Sequence, residues 1–168
     1  DGPPGAWEPA RLPKLPTGEQ AALQDFWRST LTLPLPERLM LRPRDRLTAA
    51  VYALAPDAPE LEGLMALRPG WRLGTLAAGE RGRHPPATHW RFEPAHALAL
   101  AIRAEDAQQR LDEPAGSELI ARYLRGETLA APGPDGWLLI CVDGFPLGWG
   151  KRTAGVVKNH YPKGLRWQ

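Results

Sequence analysis

A single cysteine, Cys141, is the only thiol in this chain, which excludes an internal disulfide. It also excludes a zinc centre built from cysteines. The four histidines, at 84, 89, 96 and 160, have spacings that match no zinc pattern, so no metal site is expected. So little cysteine fits a reducing compartment, most simply the cytoplasm. No apolar stretch approaches the roughly 18–20 residues needed to span a bilayer, so a membrane is not an expected partner. The opening segment, DGPPGAWEP, has neither a basic n-region nor an apolar h-region, so no secretory leader is read there. It also lacks an initiator methionine, and the expectation is a fragment or a processed piece. No G-x-G-x-x-G follows a strand pattern, and no phosphate loop ends in GK[ST]. Gly148-Trp149-Gly150-Lys151 has the letters of such a loop without its spacing or its following helix, so a nucleotide cofactor is not expected in this chain.

Lysine is scarce too. There are four in the chain, and three of them fall between 151 and 163. From Asp135 to Gln168 five Lys/Arg stand against two Asp, about +3, while the rest of the chain is about −1. Elsewhere the cations are almost all arginine, so this tail is where compact ammonium charge is concentrated. A solvated basic edge explains that pattern as simply as a binding surface does.

Residues 1–19, with five prolines and three glycines, read as a linker-like segment, and Trp7, Leu12 and Leu15 would let it lie along a surface. Thr17 and Gln20 predict a capped helix over 18–29 whose face is Leu23, Phe26 and Trp27. Arg38–Leu41 and Leu47–Leu54 read as strands around an Arg42–Asp45 turn. Leu61, Leu64, Met65 and Leu67 are apolar at mixed spacing, which leaves their element open. Trp71, Leu73 and Thr75 predict a short strand ending near Gly79, then a loop to Thr88. Pro94 suits the first turn of a helix through Ile102, and 105–111 reads as a further helical turn. Ser117 caps a helix over 118–125 that Gly126 stops.

Trp137–Val142 is apolar at every position and predicts a strand covered on both faces. Asp143-Gly144 is a two-residue hairpin signal. The return strand would put Phe145, Leu147 and Trp149 on one face and bare Pro146, Gly148 and Gly150 on the other. Then come a loop at 151–155, a strand from Val156, and a last strand with Leu165 and Trp167 on one face. Cys141, inside the apolar strand with no His or Asp beside it, reads as core packing rather than a nucleophile. Lys151, Arg152, Lys158, Lys163 and Arg166 are of the type that meets phosphates, and His160, Tyr161 and Trp149 of the type that stacks on unpaired bases. Closure of a small barrel by the same aromatics, with merely solvated cations, is the other reading, and composition does not choose.

VDGFPLGWGKR (142–152) and KNHYPKGLR (158–166) closely resemble the C-terminal signature of the bacterial ribosomal RNA small-subunit methyltransferase F family. LRPGWRLGTL (67–76), RFEPAHALAL (91–100) and YLRGETL (123–129) resemble upstream blocks of the same region, with a weaker likeness back to about residue 20. The resemblance implies an α+β fold, a PUA-like β-pseudobarrel with short helices preceded by a small mixed α+β domain. It divides the chain into a linker-like 1–19, a first C-terminal domain over 20–103 and a PUA-like RNA-binding domain over 104–168. It implies small-subunit rRNA as partner, in the service of rRNA methylation and ribosome biogenesis, and the tail residues Lys151, Arg152, Lys158, His160, Tyr161, Lys163 and Arg166 are then the expected binding residues. The family's catalytic core, with its S-adenosylmethionine site and its Pro-Cys and Thr-Cys motifs, has no counterpart here. This chain is therefore expected to hold no catalytic residue and no cofactor, and to serve a 16S rRNA cytosine-C5 methyltransferase domain in cis or in trans. The rival expectation is a structural domain that braces that partner without RNA affinity. Five phosphate contacts would give log K against log salt a slope of about −3 to −4 on single-stranded RNA.

Overall fold

A computed structural model describes residues 17–45, 47–59, 69–81 and 87–168. The linker-like residues 1–16, the apolar residues 61–67 and residues 82–86 of the expected 79–88 loop lie outside the described residues. Helix α1 (Thr17–Thr30) opens the fold and buries Leu23, Phe26, Trp27 and Thr30, the i, i+3, i+4, i+7 stripe of an amphipathic helix. The Trp27 indole N–H then donates to the Leu33 carbonyl at 2.8 Å, turning the chain back over the helix end.

The first sheet is an antiparallel meander of β1 (Leu39–Pro43), β2 (Thr48–Ala53), β3 (Trp71–Arg81) and β4 (Ala87–Pro94) in that order. At the β1–β2 turn the Leu47 N–H and the Thr48 hydroxyl both donate to the Asp45 carboxylate, each at 2.8 Å. Those hydrogen bonds hold the Asp45 carboxyl below the usual range. Helix α2 (His96–Ala101) follows β4 directly, and a 3-10 turn at Ala104–Asp106 leads into β5 (Arg110–Glu113).

The second half begins with α3 (Glu118–Arg125), whose N-cap Ser117 accepts from the Ile120 N–H and whose C-cap is left-handed Gly126 at φ +85°. The second sheet adds β6 (Leu129–Ala130), β7 (Gly136–Val142), β8 (Phe145–Thr153) and β9 (Val156–Asn159), with a 3-10 turn at Lys163–Leu165 beyond it. Its order is β5-β7-β8-β9-β6, with β5 parallel to β7 and the other pairs antiparallel, and it curls into a half-barrel. The fold is thus α+β, with two sheets and few helices, and its curled second sheet is consistent with a PUA-like domain.

Strand β7 explains why its sequence is apolar without alternation. Trp137, Leu139 and Cys141, joined by Trp149 of β8, face α1, β3, β4 and α2 in one core. Leu138 and Ile140 face α3 and Val157 in a second core. The first core crosses the boundary between the halves of the chain. The Phe26 ring lies 4.7 Å from Phe92, 6.2 Å from Trp137 and 6.1 Å from Trp149. Two hydrogen bonds fasten α2 to β8: His96 Nε2 with the Leu147 carbonyl at 2.9 Å, and the Trp149 indole N–H to the Ala95 carbonyl at 3.0 Å. Gly148 has no side chain because the Tyr123 hydroxyl, donating to the Trp149 carbonyl at 2.9 Å, fills the space a Cβ would take.

Several sequence expectations are corrected. Strand β3 runs on to Arg81, and the end of the expected loop is strand β4. Pro94 closes β4 instead of opening α2, which starts at His96. The further helical turn at 105–111 is a single 3-10 turn and then β5, drawn into strand form by parallel pairing with β7. The expected 151–155 loop shrinks to a turn at Ala154-Gly155, because pairing with β9 carries β8 through Thr153. The last strand is absent: 163–165 is a 3-10 turn, and the Trp167 N–H donates to the Leu124 carbonyl at the end of α3.

Candidate nucleic-acid interface

Two tight turns place the tail residues. Asp143 and Gly144 both take positive φ, +49° and +80°, and so do Ala154 and Gly155, +49° and +77°. The second turn sets Lys151 directly opposite Lys158 across β8 and β9, while β7 sets Trp137 opposite Lys151. Trp137, Lys151 and Lys158 therefore form one row across three strands. The Lys151 ammonium stands 5.3 Å from the centroid of the Trp137 ring. The His160 ring meets the same indole, centroids 4.5 Å apart.

Both lysines are exposed, and among the described residues neither makes an ion pair. Like charges opposed across a strand pair repel, so this row is unneutralised positive potential. His160 is half-buried. Its burial, reinforced by Lys158 and Lys151 and opposed by Glu93, pushes its imidazole below the ordinary value. Its buried Nε2 has no hydrogen-bond partner among the described residues. Lys163 is exposed on the following 3-10 turn, also without an ion pair among the described residues.

The other expected binding residues are placed differently. Arg152 is only 6% exposed. Its guanidinium donates from Nη1 to the Gln109 side-chain oxygen at 2.9 Å and to the Pro134 carbonyl at 3.1 Å, tying β8 to the loop before β7. It alternates with Lys151, so the strand period itself turns it inward. Arg166 is half-buried, packed over Gly126 and donating to the Tyr161 carbonyl at 3.2 Å. The Tyr161 ring fits between His96 and Tyr123, 5.4 Å from each, as a seam between α2 and α3. Trp149 is 1% exposed and offers no stacking face. The structure thus gathers Lys151, Lys158 and His160 in one place and puts Arg152, Tyr161 and Arg166 to work holding it.

Trp137, the shared platform of Lys151 and His160, escaped sequence reasoning as a site residue. Its signal was register: counting back from Asp143-Gly144 brings it opposite Lys151 only once the bulge at Ile140/Cys141 is allowed for. Cys141 is fully buried, and burial with the nearby Asp112 pushes its thiol up to about 11, the state of an inert core residue. Among the described residues no group of three His, Cys, Asp or Glu is placed to hold a metal, and no helix is long and apolar enough to cross a membrane.

Family models match both halves. Residues 25–102 match the RsmF rRNA methyltransferase first C-terminal domain, and residues 114–167 match the methyltransferase RsmF PUA domain. The chain belongs to the RsmF methyltransferase family. It corresponds to the C-terminal region of that family, an accessory region of an rRNA methyltransferase. The lysine row, His160 and Lys163 all fall within the RsmF PUA match, whereas α2 and the meander fall within the first-domain match. The core around Phe26 is therefore shared by the two RsmF domains. A comparison with curated proteins returns no match.

Proposed function

We propose that this chain holds rRNA for a 16S rRNA cytosine-C5 methyltransferase, with Lys151, Lys158 and Lys163 on the phosphates and His160 at the edge of the Trp137 platform. S-adenosylmethionine and the methyl transfer belong, in this reading, to a catalytic domain other than the two matched here, and the work is cytoplasmic, in ribosome biogenesis. The observation that carries the reading is the Lys151–Lys158 pair. A polyanion relieves its repulsion, and PUA domains as a class bind RNA.

Placement revises the expected salt dependence. Three accessible lysines, at about 0.7 per phosphate on a single strand, give a slope of log K against log salt near −2. Titrating a small-subunit rRNA fragment at several salt concentrations measures it. Lys158→Ala and Lys163→Ala are each expected to flatten the slope by about 0.7. Binding that ignores salt, or no binding at low salt, refutes the proposal. A bracing role is the second reading, favoured by exposed Phe145, Leu165 and Trp167. It predicts a tight complex with a separate methyltransferase domain and no RNA affinity in this chain.

A further inference from the structure

The lysine row does not end in open solvent. Beside Lys151, α1 and β4 rise from the first C-terminal domain and, with β7 and β8, enclose an open cleft of about 640 Å³. Asp25 and Arg28 line it from α1, His89 and Arg91 from β4, and Trp137 and Lys151 from the PUA sheet. Three permanent cations face one carboxylate, and a histidine and an indole lie among them. The two arginines are engaged only at the surface. Arg28 pairs with Asp25 at 3.1 Å and Arg91 with Glu93 at 3.2 Å, all four side chains about half exposed or more. Such pairs contribute little, so a phosphate competes for these guanidinium groups readily. The volume lies within the roughly 300–1,000 Å³ of small-ligand sites, room for a nucleotide or two and not for a helix.

We infer that this interdomain cleft is a second RNA subsite, which takes an unpaired nucleotide of the strand that the tail lysines hold. The inference rests on the proposed RNA-holding role of that tail. Lys151 belongs to both places, at the end of the lysine row and on the wall of the cleft, so one strand runs from the first to the second without a break. Unpaired bases are recognised on aromatic and guanidinium surfaces of this kind. The first C-terminal domain would then touch substrate as well as support its neighbour.

The test uses the full chain and a short single-stranded oligoribonucleotide that carries a photoreactive uridine. With the cleft engaged the wild-type slope steepens to about −3.5, and Arg28→Ala with Arg91→Ala is expected to flatten it by about 1.4, two phosphates at about 0.7 each, back to the value near −2 of the tail lysines alone. Arg28→Lys with Arg91→Lys, which keeps the charge, should leave the slope close to wild type. Cross-links are expected in the peptides of α1 and β4. A wild-type slope in the double alanine variant, with cross-links confined to 151–163, overturns the cleft and leaves the tail reading standing. No RNA binding by the wild-type chain overturns both. If the double alanine variant keeps its RNA affinity and cross-links but loses association with a methyltransferase domain, the cleft is a protein dock and the inference fails.

Discussion

Trp149 offers the sharpest test of how the two matched domains relate. It lies on a PUA strand, yet its ring packs 6.1 Å from Phe26 of α1 and its indole N–H reaches the Ala95 carbonyl before α2. Trp149→Ala removes a fully buried aromatic and costs on the order of 3–5 kcal/mol. That is a large share of the about 5–15 kcal/mol that holds an ordinary domain together. Trp149→Phe is the gentler perturbation. Ala95 still accepts from the Leu98 N–H at 3.0 Å, so its carbonyl is not orphaned. The loss is then one hydrogen bond, about 0.5–1.5 kcal/mol, plus the smaller ring. With the two together on the order of 1.5 kcal/mol, at about 2–4 °C per kcal/mol for a chain of this size, a melting shift of about 3–6 °C follows. The discriminating assay is amide hydrogen exchange resolved by segment. With one shared core, the slowest amides of β2 and β3 lose as much protection as those of β7 and β8, because both open in the same event. Wild-type protection in β2 and β3, with loss confined to residues 129–159, would refute the shared-core argument.

Two further outcomes follow from the placement of single residues. Arg152→Ala should lower stability by about 1.5–3 kcal/mol in chemical denaturation, because a buried charged donor and its two part-buried hydrogen bonds are lost. It should leave the RNA salt slope unchanged, and a flattened slope with intact stability would contradict the inward placement. His160 titrates in the fold below its ordinary value near 6.5, chiefly through burial. As pH falls through about 6.5 the unfolded chain takes up this proton first, so stability declines until the lower folded value is passed. Melting curves from about pH 8 to about pH 5 should show that decline, and His160→Gln should remove it. Bound phosphate opposes the shift, so RNA affinity should rise over the same interval, and an affinity independent of pH would separate His160 from the RNA.

Local chemistry made much of this fold legible. The stripe on α1, the Ser117 and Gly126 caps and the Asp143-Gly144 turn each announce themselves over a few residues, and each is where the sequence placed it. The continuous apolar run of β7 also meant what it said, a strand covered on both sides. What escaped was set by distant pairing. Nothing in Arg110–Glu113 favours a strand over a helical turn until β7 lies beside it in parallel. Residues 151–153 look like a charged loop until β9 returns to pair with them. The same limit applied to the site. Composition assembled the cations of the tail, but strand period decided that Lys151 faces out and Arg152 faces in. The far wall of the cleft, Arg28 and Arg91, lies far from Lys151 in sequence and close to it only because both domains share a core.

That core has a consequence for how the chain is made. Phe26 is synthesised about 120 residues before Trp149. At about 5–20 residues per second the delay is about 6–24 s, during which α1 lacks the β7 and β8 side chains that complete its buried face. Until Trp137 and Trp149 are made, the buried face of α1 lacks the ring contacts that complete it. The residues that finish the fold, Trp137 and Trp149, and those of the lysine row, Lys151 and Lys158, lie on the three consecutive strands β7, β8 and β9. Completion of the core and assembly of the positive strip therefore depend on the same three strands.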